Sequence, residues 1–177
     1  CENGQLDAGV AALQKSLQLK PDQEEALTKL GRAFYQKGQL GNAIRAFSQA
    51  LDLRPVQWPE ISEASWFYKQ AIREQAQRER KESIASYQKV LEGNPDDVEV
   101  VTNLGVALAD DRQLDAAIAA YRKALQLNPD YARAHYKLGC ALEDKADHEG
   151  ARHHYAEAER IDPSRSYYRS QAARRKQ

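Results

Sequence analysis

The chain of 177 residues balances 26 Lys and Arg against 26 Asp and Glu, so bulk charge gives no grounds for nucleic acid or an anionic membrane as its partner. Charged residues make up 29% and are interspersed, and no apolar run is long enough to span a bilayer, which sets a membrane-inserted segment aside. Two cysteines, Cys1 and Cys140, form no disulfide framework and fit no metal spacing, so no cofactor is implied.

Prolines divide the chain. Pro21, Pro55, Pro95, Pro129 and Pro163 stand 34, 40, 34 and 34 residues apart. A fixed period of this length signals one supersecondary unit, a helix pair, repeated and stacked. The first segment, 1–22, is a half-unit: Cys1 to Gly9 aligns with Tyr35 to Ala43, sharing Gly-Gln-Leu, which puts a turn near Gly4 and Cys1 at the end of a cut helix. A lipidated N-terminal cysteine is the rival reading of Cys1. The absence of methionine also fits a segment excised from a longer array.

In the unit 23–56, Leu27, Leu30-Gly31 and Phe34 mark a first helix, and Ala43, Phe47 and Ala50 a second. Steps of three and four residues make each set the stripe of an amphipathic helix. Glycine without a Cβ lets the second helix approach, the aromatic side chain fills the space, and proline ends the unit because it cannot continue a helix. The unit 57–96 breaks the rule. Gln70-Ala71 replaces Leu-Gly, extra residues surround Pro55-Val-Gln-Trp-Pro59, and no turn residue interrupts Gln75 to Glu82. A first helix from about Ile61 to about Arg80 is predicted, then a tight or poorly defined turn and a second helix with Ser83, Tyr87 and Val90.

Regularity returns at 97–130, with Val101, Leu104-Gly105, Leu108, Ala117, Tyr121 and Ala124. It continues at 131–164 with Leu138-Gly139, Leu142, Ala151, Tyr155 and Ala158, although His135 replaces a bulky apolar side chain. Asn94-Pro95-Asp96 and Asn128-Pro129-Asp130 supply turn and capping chemistry. The tail 165–177 reads as a capping helix, with Tyr167 and Tyr168 inward and its arginines in water.

These residues resemble the tetratricopeptide repeat family over essentially all of 1–163. The resemblance implies an all-α, right-handed superhelical solenoid of antiparallel helix pairs whose concave face is lined by the first helices. It also implies a protein–protein interaction scaffold, not an enzyme. The positions offset from the apolar stripe are Glu25, Thr28, Lys29, Arg32 and Gln36; Lys69 and Arg73; Glu99, Thr102, Asn103 and Val106; and Arg133, Tyr136, Lys137 and Cys140. Family members that act as chaperone cofactors clamp a peptide carboxylate with Lys, Asn and Arg on successive first helices. By that likeness Asn103, Arg133 and Lys137 form part of a clamp, with Lys69 and Arg73 completing it after a one-residue shift, and Lys29 and Arg32 adjoining. Its occupant is a peptide or partner segment, acidic or C-terminal.

No catalytic constellation appears. His148 and His153 stand at i, i+5 and diverge on a helix, and the four histidines read as solvated or capping. Trp58 and Trp66 flank the irregular segment, as packing over the junction or as an interface anchor. Two other classes stay open: the recognition arm of a larger enzyme such as a glycosyltransferase, and self-assembly into a homo-oligomer. The expected compartment is the cytoplasm.

Overall fold

A computed structural model of the protein describes residues 2–53 and 62–165. Cys1, the linker at 55–60 with Trp58, and the capping helix beyond Arg165 lie outside the described residues. All eight described elements are helices: α1 (Glu2–Leu19), α2 (Glu24–Gln36), α3 (Leu40–Asp52), α4 (Glu63–Gly93), α5 (Val98–Asp110), α6 (Leu114–Leu127), α7 (Ala132–Asp144) and α8 (His148–Ile161). No described helix is long and apolar enough to cross a membrane. The chain divides within α4 into two compact units, the first ending at Arg78 and the second beginning at Glu79.

Each hairpin is closed by a ring lying on a glycine. In the first unit a Cβ on Gly31 would come 2.6 Å from the Phe47 ring. In the second unit the corresponding distances are 2.5 Å from Gly105 to Tyr121 and 2.7 Å from Gly139 to Tyr155. Real Cβ contacts are longer, so only glycine admits this approach, which explains its place in the middle of three helices despite a helix cost of about 1 kcal/mol. Around each ring the alanines 43, 50, 117, 124, 151 and 158 are buried. Burial of one such aromatic contributes roughly 1.5–3 kcal/mol.

Helix starts and turns follow from local chemistry. Asp97 caps α5 by accepting from the backbone N–H groups of Glu99 and Val100 at 3.1 and 3.0 Å. Asp147 caps α8 through the N–H of Gly150 at 3.0 Å. Between paired helices the chain turns left-handed at Gly38, Arg112 and Ala146, with φ of 68°, 63° and 62°. Glycine takes this conformation freely, whereas Arg112 and Ala146 do so at a cost.

Two expectations are corrected. The turn near Gly4 is absent, and α1 runs helical from Glu2 to Leu19. With nothing within 4 Å of Gly4, no packed neighbour calls for a break there. The turn expected within 57–96 is also absent: α4 is one helix of 31 residues. Gln70-Ala71 offers no bare glycine for the Tyr87 ring, so the close contact that folds the other hairpins cannot form on the same pattern. Gln75 to Glu82 consists of strong helix formers, and the chain keeps its helical hydrogen bonds instead. Ala71 is buried in the first unit's core with Ala64, Phe47 and Ala50. In the second unit Ser83 is exposed, Tyr87 half-buried and Val90 49% exposed, unlike their counterparts in α3, α6 and α8.

Candidate functional site

In the second unit, burial of Val101, Gly105 and Leu108 on α5 and of Ala134, Leu138 and Ala141 on α7 fixes how each helix is rotated. That rotation leaves Asn103 and Val106 half-exposed on α5, and Arg133, Tyr136, Lys137 and Cys140 half-exposed on α7. Arg133 Nη2 donates to Asn103 Oδ1 at 2.8 Å, joining the two helices. The bond uses one of five guanidinium N–H donors and leaves the Asn103 amide N–H groups available to an acceptor. One turn on, Lys137 Nζ lies 5.9 Å from the Tyr136 ring centroid, and Tyr136 packs at 5.7 Å against Tyr155.

Among the described residues no carboxylate ion-pairs with Arg133 or Lys137, although Asp110 and Glu143 act on the neighbouring Tyr121 and Tyr155. The nearby tyrosines hold their protons. Burial raises Tyr121 far above the ordinary phenol range, with the Arg133 charge opposing. Burial also raises Tyr155, whose hydroxyl donates to Glu143 Oε2 at 2.7 Å. Thr102, expected on this face, is instead fully buried and donates to the Val98 carbonyl at 2.8 Å. Its place on the helix is one step inside the stripe.

The first unit arranges the same residue types differently. Lys29 Nζ meets Glu25 at 2.7 Å, and Arg32 Nη1 meets Glu63 at 2.8 Å while Arg32 Cζ lies 5.6 Å from the Phe67 ring centroid. Tyr35 donates to Glu74, which raises the phenol above its ordinary range. The carboxylates thus compensate both predicted cations. The face of α4 that meets α2 carries Glu63, Phe67 and Glu74, because burial of Ala64 and Ala71 sets the rotation of α4. Lys69 and Arg73 stand about a quarter-turn or more away from it, exposed, with Arg73 Nη1 donating to Gln70 at 3.1 Å. They do not join Lys29 and Arg32 on one face.

A second feature escaped the sequence. His135 and His154, read as solvated or capping, bring their Nδ1 atoms to 3.0 Å, and His135 Nε2 lies 3.0 Å from the Pro129 carbonyl. A carbonyl only accepts, so Nε2 of His135 carries hydrogen, its Nδ1 accepts, and Nδ1–H of His154 donates. Burial first, then the neighbouring His135, His153 and Arg122, lowers His154 to about 4. The pair lines a groove of about 640 Å³ with Leu125, Leu138 and Arg160. In the first unit the matching groove, beside Pro21 and Asp22, is lined by Leu27 and Leu30. His135 out of place was the only visible signal; its partner, 19 residues away, carried none.

Two family models match the chain. The TPR repeat model matches residues 1–38 and 113–145, and the tetratricopeptide repeat model matches residues 24–57 and 132–165. The chain belongs to the tetratricopeptide repeat family. Among solved structures it is similar to YrrB, described as a TPR protein with an unusual peptide-binding site, at 22% identity, TM-score 0.50, and coverage of 94% of this chain and 83% of that one. MamA from Desulfovibrio magneticus RS-1 is 25% identical with TM-score 0.47, covering 93% of this chain and 89% of that one. These likenesses concern the fold. No curated protein matches. Tetratricopeptide repeats serve as interaction scaffolds, and this chain is built as one.

Proposed function

We propose that this repeat protein holds an acidic segment of a partner protein on the α5/α7 face of its second unit. The Arg133–Asn103 bond carries the reading, because it fixes a guanidinium between two helices, with no carboxylate ion-paired to it among the described residues. Arg133 then offers a fork to a carboxylate and Lys137 a point charge, while the Asn103 amide meets a peptide carbonyl. Val106, Tyr136 and Cys140, half-exposed beside them, provide apolar contact. Lys29 and Arg32 fall outside the site because Glu25 and Glu63 already compensate them. Lys69 and Arg73 belong to the other compact unit.

Charge-assisted hydrogen bonds contribute about 1.5–3 kcal/mol each when partly desolvated. Fluorescence anisotropy with a labelled Glu- and Asp-rich peptide tests the site. Loss of both cations in Arg133→Ala/Lys137→Ala weakens binding by roughly 10- to 100-fold. Unchanged affinity removes these residues from the site. Comparing peptides with free and amidated C-termini then tells a terminal carboxylate from an acidic side chain.

A further inference from the structure

Trp66 is a large aromatic side chain of the first unit left 56% exposed on a described helix. Its ring edge meets Phe67 at 4.8 Å between centroids with an interplanar angle of 89°. That contact holds the indole in one orientation while most of it faces water. Lys69, Gln70 and Arg73 follow at three, four and seven residues, which puts all four side chains on one helix face. Gln70 accepts from Arg73 Nη1 at 3.1 Å and so keeps the guanidinium along the helix. Lys69 and Arg73 meet no carboxylate among the described residues, unlike Lys29 and Arg32 on α2.

We propose that Trp66, Lys69 and Arg73 form a second docking surface, which takes an acidic segment bearing one apolar anchor side chain. Two cations with no carboxylate partner among the described residues set the charge of the occupant, and the indole supplies the flat apolar contact. Tryptophan and arginine are the residue types that dominate binding energy at interfaces, because they bury much area for little lost freedom. This surface stands independently of the α5/α7 face, being made wholly within the first unit.

The test uses the Trp58→Phe protein, so that Trp66 is the one indole reporting. An acetylated, amidated decapeptide of Asp and Glu around a single Leu is titrated, alongside its counterpart with Lys in place of the acids. The acidic peptide shifts the Trp66 emission to shorter wavelength with saturation. Lys69→Gln/Arg73→Gln weakens that response roughly 3- to 30-fold, as loss of two exposed ion pairs allows, while Arg133→Ala/Lys137→Ala leaves it unchanged. Circular dichroism confirms that each variant keeps its helicity, and the single Lys69→Gln variant serves if the double one does not. An equal response to the basic peptide, no response to either, or an indole already shielded from acrylamide in the free protein overturns the proposal. Shielding in the free protein means that the chain itself covers Trp66.

Discussion

Acidification should loosen the second unit through the His135–His154 pair. The imidazole of His154 is held at about 4, below its ordinary 6.5, so the unfolded chain binds a proton at a pH where the folded chain does not. Stability from this group is complete above pH 6.5 and is lost as pH falls toward 4. At full weight such a gap corresponds to about 3 kcal/mol, but a half-buried imidazole is partly screened by water, leaving about 1–2 kcal/mol. Arg122, Asp130, His153, Glu157 and Arg160 line the same groove and share its field. Leu27 occupies the place of His135 in the first unit's groove, which makes His135→Leu/His154→Ala the natural comparison. Urea unfolding at half-unit steps from pH 7.5 to 4 measures the effect, and the wild type minus the double variant isolates the pair from titrating carboxylates. A difference that does not change with pH refutes the assignment.

Other outcomes follow from single positions. Gly105→Ala places a methyl group 2.5 Å from the Tyr121 ring and destabilises by about 1–3 kcal/mol, whereas Gly9→Ala, with nothing within 4 Å, stabilises by up to about 1 kcal/mol; urea midpoints compare them. Ala146→Gly relieves a left-handed residue at φ 62° and raises the melting temperature, consistent with up to about 1 kcal/mol. Asp97→Ala removes the cap of α5 and costs about 1 kcal/mol by the same melts.

The regular repeats were legible because their contacts are written at fixed spacing. A glycine, an aromatic residue sixteen positions on and alanines beside it specify a hairpin locally, and Gly31–Phe47, Gly105–Tyr121 and Gly139–Tyr155 all form. The fate of α4 was half legible. Gln70-Ala71 announced that the hairpin contact was missing, but the continuous helix is a competition between two whole arrangements, and no single residue decides it. Register across helices was harder. Whether Glu63 or Lys69 faces Arg32 depends on α4 rotating to bury Ala64 and Ala71, a tertiary outcome that proline counting does not reach. The same limit hid the His135–His154 bond and put Thr102 on the exposed face. Asn103, Arg133 and Lys137 lay in regular repeats, where the helical period put them on the half-exposed face and the family likeness singled them out; the hydrogen bond between two of them needed coordinates.

The central claim is that the α5/α7 face receives an acidic segment. Two-dimensional ¹H–¹⁵N spectra of the labelled protein, titrated with the Glu- and Asp-rich peptide, test it most directly. The account predicts saturating shifts of the Asn103 side-chain amide and of the Arg133 and Lys137 backbone amides, all absent in Arg133→Ala/Lys137→Ala. Signals of α5 and α7 that stay unmoved at saturating peptide contradict it.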